Sequence, residues 1–310
     1  MKSDWLQKYN KIVTSQCGED GILEKISQTI NSPVADRWVV EFGASDGKQF
    51  SNSWSLINNN SWSAVLIEAD NLRYRQLKKR YDQHPQVTCL NRMVNFSGKY
   101  TLDKILQTTP IPKNFNLLSI DIDGNDYHIW QTIENYTPKV VIIEFNPSIP
   151  VDIEYIQPKD LSINQGSSLL SITKLARQKG YELIATTKWN AIFTRKKYFK
   201  LFRIKDNSPV AIYRIRQYQT QIFQLLDGTI KIVGNTSMLW HGVQMDANKM
   251  QVIPRLLRAY PQTMNLVKKI VYLFWTIFIK NIYHLSYPQI IYRSFRNLFI
   301  DKITHPRQNS

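Results

Sequence analysis

Val39-Val40-Glu41-Phe42-Gly43-Ala44-Ser45-Asp46-Gly47 carries a short apolar run straight into a turn of residues with little or no side chain. The pattern predicts a buried strand followed by the first βα turn of a nucleotide-binding fold, where backbone amides approach a ligand closely. The turn departs from a phosphate cradle in two ways. Its spacing is G-x-x-x-G rather than G-x-G-x-x-G, and Asp46 would repel a pyrophosphate. A carboxylate there suits a ligand that brings cationic and hydroxyl groups. By itself the stretch is equally a plain strand-to-helix connection made of permissive residues, so its neighbours decide.

Ala64-Val65-Leu66-Ile67-Glu68-Ala69-Asp70 follows after about 20 residues, the separation a βαβ unit imposes. Glu68 is placed to accept hydrogen bonds from two ribose hydroxyls. The alternative for Glu68 or Asp70 is to cap a helix beginning near Leu72. A third run, 86–90, leads into Asn91-Arg92-Met93-Val94-Asn95, whose amides and side chains are available to an adenine edge. The fourth, Asn116-Leu117-Leu118-Ser119-Ile120-Asp121-Ile122-Asp123-Gly124-Asn125-Asp126-Tyr127-His128, ends in three carboxylates, an amide and an imidazole. Strand alternation puts Asp121 and Asp123 on one side of an extended segment, where two carboxylates converge on a ligand or metal. Asn125 or Asp126 would cap the helix that follows. Several acids at the end of a buried strand are costly unless something cationic or hydrogen-bonding binds there.

Val140-Val141-Ile142-Ile143-Glu144-Phe145-Asn146-Pro147 again ends in an acid, and Pro147 stops the ladder. A helix is predicted over 167–179, stopped by Gly180, and then two strands, 181–186 and 191–194, joined by a short polar link. Apolar strands alternating with helices predict an α/β fold: a mostly parallel sheet covered on both faces, with a terminal antiparallel strand from the hairpin. Ligands of such sheets bind beyond the carboxyl ends of the strands, where Asp46, Glu68, Asp121, Asp123 and Glu144 all fall.

Taken together, Gln16-Cys17-Gly18-Glu19-Asp20-Gly21-Ile22-Leu23, Glu41-Phe42-Gly43, Ile67-Glu68, Ser119-Ile120-Asp121-Ile122-Asp123-Gly124-Asn125-Asp126 and Ile143-Glu144 resemble the FkbM-type S-adenosylmethionine-dependent methyltransferases over roughly 15–198. The resemblance implies a class I, Rossmann-like domain and transfer of a methyl group, usually to oxygen of a sugar or secondary metabolite. It places Glu41, Gly43 and Asp46 in the first cofactor motif, Glu68 in the ribose motif, and Asp121 with Asp123 near the transferred methyl. Gln16 and Asp20 would line the pocket from above; Glu19 and Asp20 equally suit a helix start. Two departures stand out: the first turn has fewer glycines than the family, and Asp123-Gly124-Asn125-Asp126 replaces a Glu-Gly-His-Glu type.

Transfer to a hydroxyl needs in-line alignment and removal of the acceptor's proton. Asp121 or Asp123 would act as that base, or together hold a divalent cation such as Mg that lowers the acceptor's pKa. Both chemistries are open from the residues, and His128 is a further base or a satisfied buried histidine. The expected substrate is a small-molecule, glycan or glycolipid acceptor. The alternative is a non-catalytic Rossmann module that binds nucleosides and serves as a membrane-associated scaffold.

At 310 residues and 43% hydrophobic content the chain can bury a full α/β core and carry an additional module. Cys17 and Cys89 have no C-x-x-C or His partner, so neither a disulfide framework nor a zinc site is indicated. With no apolar signal core after Met1, a cytoplasmic protein is expected. The predicted organisation is a methyltransferase domain over 1–200, a small β-containing region over 201–262 with Asp227-Gly228 between strands at 210–214 and 229–233, and a tail over 263–310. Trp240-His241 would contact an acceptor or pack within that region.

The formal net charge is +16 and it is concentrated toward the C-terminus: Arg255 and Arg258 ahead of the tail and Lys268, Lys269, Lys280, Arg293, Arg296, Lys302 and Arg307 in it are opposed after Gln251 only by Asp301. With Tyr283, Tyr287, Tyr292, Phe295 and Phe299 interleaved, the tail predicts a basic aromatic helix, its apolar core too short to span, that lies on an anionic membrane surface at its inner face or packs on the catalytic domain or a second subunit. No nucleic-acid module accompanies the charge, so nucleic acid is not an expected partner.

Overall fold

The computed structural model describes residues 2–283. Tyr287, Tyr292, Arg293, Phe295, Arg296, Phe299, Lys302 and Arg307 of the expected tail lie outside them. The chain divides into two compact units, Met1–Thr220 and Gln221–Ser310.

In the first unit, β1 (Trp38–Phe42), β2 (Ser63–Glu68), β3 (Val87–Asn91), β4 (Leu117–Ile120), β5 (Val140–Glu144), β6 (Tyr181–Thr186) and β7 (Asn190–Arg195) form one sheet in the order β3-β2-β1-β4-β5-β7-β6. β1 to β5 are parallel, and β7 runs antiparallel to both β5 and β6. The fold is therefore the expected α/β, Rossmann-like one. Its terminal strand takes an inner place: β7 slots between β5 and β6, which makes β6 the edge. Near-continuous Val, Ile and Leu in β1, β2, β4 and β5 follow from burial on both faces of a parallel sheet.

The helices are α1 (Glu19–Ile30), α2 (Trp54–Asn60), α3 (Asn71–Arg80), α4 (Leu102–Leu106), α5 (Asp126–Thr132), α6 (Leu169–Gln178), α7 (Lys196–Phe199) and α8 (Pro209–Ile212). α1 buries Ile22, Leu23 and Ile26, the stripe its periodicity requires. α6 is capped by Ser168, whose Oγ accepts from the Ser171 amide, and α3 packs on β2 and β3. From β1 the chain steps outward to β2 and β3, then returns to build β4 and β5 on the other side of β1. That reversal makes a topological switch point at the carboxyl ends of β1 and β4, the place where open sheets bind ligands in a crevice.

Two expectations are corrected. Phe202, Ile212 and Tyr213 are buried in the same core as the sheet, so 201–220 belongs to the first unit and not to the appended region. The segment expected as a strand at 210–214 begins with the short helix α8: Pro209 is pre-set for the first helical position, and Ser208 Oγ accepts from the Ala211 amide. The second unit holds a hairpin of β8 (Thr220–Gln224) and β9 (Ile230–Gly234) around Asp227-Gly228, a second small pair of β10 (Ser237–Met238) and β11 (Val243–Gln244), and α9 (Leu266–Tyr283). Trp240 and His241 lie in the turn between β10 and β11.

Candidate cofactor and catalytic site

Gly43 leaves β1 with φ +78°, and a Cβ there would lie 1.9 Å from the carbonyl oxygen of Asp121. Only glycine lets the ends of β1 and β4 meet in this way. Beyond it the Ala44 amide donates to Ile67 O at 3.1 Å, and the Ser45 amide donates to Glu68 Oε2 at 2.7 Å. Glu68 is buried, and its Oε1 accepts from the Asp70 amide at 2.7 Å. Asp70 is the cap of α3, accepting from Leu72 and Arg73 amides at 2.9 Å each. The ends of β1, β2 and β4 are thus tied together around the crevice, with Glu68 at its β2 corner.

Glu41 and Asp46 are engaged within the chain. Glu41 Oε1 accepts from the Asn52 amide at 2.8 Å, and Oε2 from the Ser51 and Ser53 hydroxyls at 2.7 and 2.6 Å. Burial pushes its carboxyl up despite these donors. Asn52 Nδ2 in turn donates to Ser119 Oγ at 3.1 Å, so Glu41 braces the entry to α2 against β4. Asp46 Oδ1 accepts from the Lys48 and Gln49 amides, and Oδ2 pairs with Arg80 at 2.7 Å. Partial burial acts to raise its pKa, but the Gln49 and Lys48 amides and the Arg80 guanidinium outweigh it and hold the carboxyl below the usual range. Its charge is matched inside the protein, and its visible work is to close the turn.

Asp121, Asp123 and Glu144 each bring one carboxylate oxygen within 4.8 Å of the others. Alternation along an extended strand does not produce this convergence. β4 ends at Ile120, and Asp123 has φ +57°, so the backbone turns rather than extends. Asp126, in the first turn of α5, holds that turn by accepting from the Ile122 amide at 3.0 Å and the Gly124 amide at 2.9 Å. Asn125, at the N-cap of α5, does not cap it through its side chain. Glu144 enters because Ile120 pairs with Ile143 across β4 and β5, which puts Asp121 and Glu144 side by side at the next position. The signal for Glu144 was present in the sequence, as an acid ending the strand next to β4.

Among the described residues no donor reaches the carboxylates of Asp121, Asp123 or Glu144. Burial, then the negative charges of Asp126 and Asp123, push the Asp121 carboxyl well above its ordinary value. Glu144 is pushed up to about 10 by burial and by Asp121, Asp126 and Asp123. Asp126 is pushed up to about 6 by burial, which outweighs the amides it accepts from. The cluster carries surplus negative charge that a cation or protons must balance.

Side chains expected above the site act as braces. Asp20 Oδ2 accepts from the Val13, Thr14 and Ser15 amides and the Ser15 hydroxyl, and Glu19 from the Cys17 amide, Thr187 Oγ1 and Asn190 Nδ2. Gln16 is exposed. His128 is buried with Nε2 2.8 Å from the Gln157 carbonyl oxygen, a contact that puts a proton on Nε2 and makes it a strut of segment 145–168. Asn125 Nδ2 holds the same segment at the Asp160 and Ile163 carbonyls. A separate cleft of about 270 Å³ bounded by Glu24, Asn31, Arg37, Asn60 and Trp62 lies before the amino ends of β1 and β2, away from these acids.

No protein-family model matches the chain, and no curated protein matches it in sequence. Its fold is similar to solved structures of methyltransferases. The N-terminal domain of EvdMO1 with SAH bound is 11% identical over 57% of this chain and 80% of that one, at a TM-score of 0.40. The CMeT domain of the citrinin polyketide synthase is 12% identical over 62% of this chain and 52% of that one, at 0.40. TrmK of M. capricolum, solved with S-adenosyl-homocysteine, is 12% identical over 55% and 67%, at 0.33.

Proposed function

We propose that the chain is an S-adenosylmethionine-dependent methyltransferase of the FkbM type, acting on a hydroxyl of a glycan, glycolipid or secondary-metabolite acceptor. The observation that carries this reading is the set of donor-free carboxylates of Asp121 and Glu144 beside the point where Gly43 touches the Asp121 backbone. A site that gathers half-buried Asp121 and Glu144 with exposed Asp123, beside a backbone approach kept open by glycine, fits a cationic, hydroxyl-bearing nucleoside. S-adenosylmethionine, when bound, supplies a methyl group activated on a sulfonium.

Glu68 keeps lone pairs beyond the two amides it accepts from, and these serve ribose hydroxyls. Gly43 gives the ligand its backbone approach, and Asp121 supplies negative charge at the crevice. Asp121 and Asp123 take the acceptor's hydroxyl proton; for Asp121, burial and the charges of Asp126 and Asp123 raise the affinity for that proton. The three-oxygen set of Asp121, Asp123 and Glu144 also has the hard-donor chemistry of a Mg site. In that arrangement the same residues position the acceptor oxygen instead of deprotonating it alone.

The test separates binding from chemistry. Asp121→Ala and Asp123→Ala should each lower transfer to hydroxylated acceptors at least about 100-fold, within the range for loss of an acid or base group. Glu68→Ala should instead weaken S-adenosylhomocysteine binding about tenfold, or 1.4 kcal/mol. Unchanged turnover in both aspartate variants would remove the catalytic assignment.

A further inference from the structure

Between Ala247 and Ile300 the chain has no Asp or Glu, while Arg255, Arg258, Lys268, Lys269 and Lys280 fall in it. α9 lies inside this acid-free stretch. Along it Val267, Ile270, Val271, Phe274, Ile277 and Phe278 are all exposed. Their spacing is that of one helical face. Val267, Phe274 and Phe278 leave 71%, 69% and 60% of their surface open. Lys268, Lys269, Tyr272 and Trp275 fall between these positions and are half-buried. The 3-10 turn Arg255–Leu257 packs against α9 and carries Leu256, which is 86% exposed.

A helix of a water-soluble fold turns its apolar stripe inward; α9 leaves its stripe outward and sets lysines beside it. Among the described residues no helix is long and apolar enough to cross a membrane. The remaining fit is a helix that lies in the interface, with apolar side chains at the acyl boundary and cations among anionic headgroups. The stretch around α9 carries charge of one sign only, and an anionic lipid layer matches both the stripe and that charge. We infer that α9 is an interfacial helix that docks the protein on anionic phospholipid through Val267, Ile270, Val271, Phe274, Ile277 and Phe278.

Full-length protein co-sedimented with vesicles of phosphatidylglycerol and phosphatidylcholine should pellet at least tenfold more tightly than with phosphatidylcholine alone, and raised salt should weaken the binding. Phe274→Glu with Phe278→Glu should lower binding to the anionic vesicles at least tenfold. Because both side chains are exposed, the thermal transition of the double variant should match that of the parent. Equal binding to neutral and anionic vesicles, or full binding by the double variant, overturns the inference. So does sedimentation equilibrium without lipid that gives a dimer for the parent and a monomer for the double variant, since a second copy would then cover the stripe.

Discussion

Gly43 concentrates the geometry of the crevice in one residue. Its φ of +78° and the 1.9 Å between a Cβ and the Asp121 carbonyl oxygen leave no room for a side chain. Gly43→Ala should therefore cost about 3 kcal/mol or more, from left-handed strain plus a backbone clash, read as a lowered urea midpoint. A midpoint within experimental scatter of the parent would mean that the strand ends are not in contact. The acids beyond it give a pH signature. Asp126 and Glu144, raised to about 6 and about 10, stay protonated in the folded chain where the unfolded chain has ionised. Their contribution is full below about pH 4, the unfolded carboxylate range, and is lost as the pH rises through 6 toward 10. Without cofactor and in chelator, the protein should be less stable at pH 9 than at pH 5, and Glu144→Gln should recover about 1–3 kcal/mol of that loss. An identical decline in the variant would show that Glu144 is not held among like charges.

At the scale of elements, the strands and the order of their acids were legible because both-face burial writes continuous apolar runs and open sheets gather ligand groups at one edge. What each acid does was less legible. Glu41, Asp46, Glu68 and Asp70 all follow apolar runs, yet Glu41 braces a loop, Asp46 closes a turn, Asp70 caps α3 and Glu68 ties the turn after β1 to the end of β2. Asp46 and Asp70 take amides two and three residues further on, whereas Glu41 and Glu68 take theirs from loops that no local period encodes. The inner place of β7 was hidden for a similar reason, since a hairpin fixes which strands pair and not which side a third one takes. The convergence of Asp121 and Asp123 was read correctly as a pair and for the wrong backbone: a left-handed Asp123 does what an extended strand was expected to do. One pair of substitutions separates the neighbouring acids of β2. Asp70→Ala should cost about 1 kcal/mol through loss of the α3 cap and leave S-adenosylhomocysteine affinity within about twofold. A tenfold loss of affinity in that variant would move the cofactor role from Glu68 to Asp70.

The whole molecule joins an acid-lined crevice in the first unit to a strongly basic second unit, in a chain of net charge +16. The overall charge says nothing about the crevice, where three acids converge with no basic partner among the described residues. Fold class follows from the sheet, while the proposed cofactor rests on those converging acids and on Glu68. The most direct measurement is calorimetric titration of the intact, folded protein with S-adenosylmethionine and with S-adenosylhomocysteine. Saturable binding of both at one site per chain, weakened by Glu68→Ala, is the expected result. Absence of detectable binding for either would contradict the assignment of the crevice to a methyl donor.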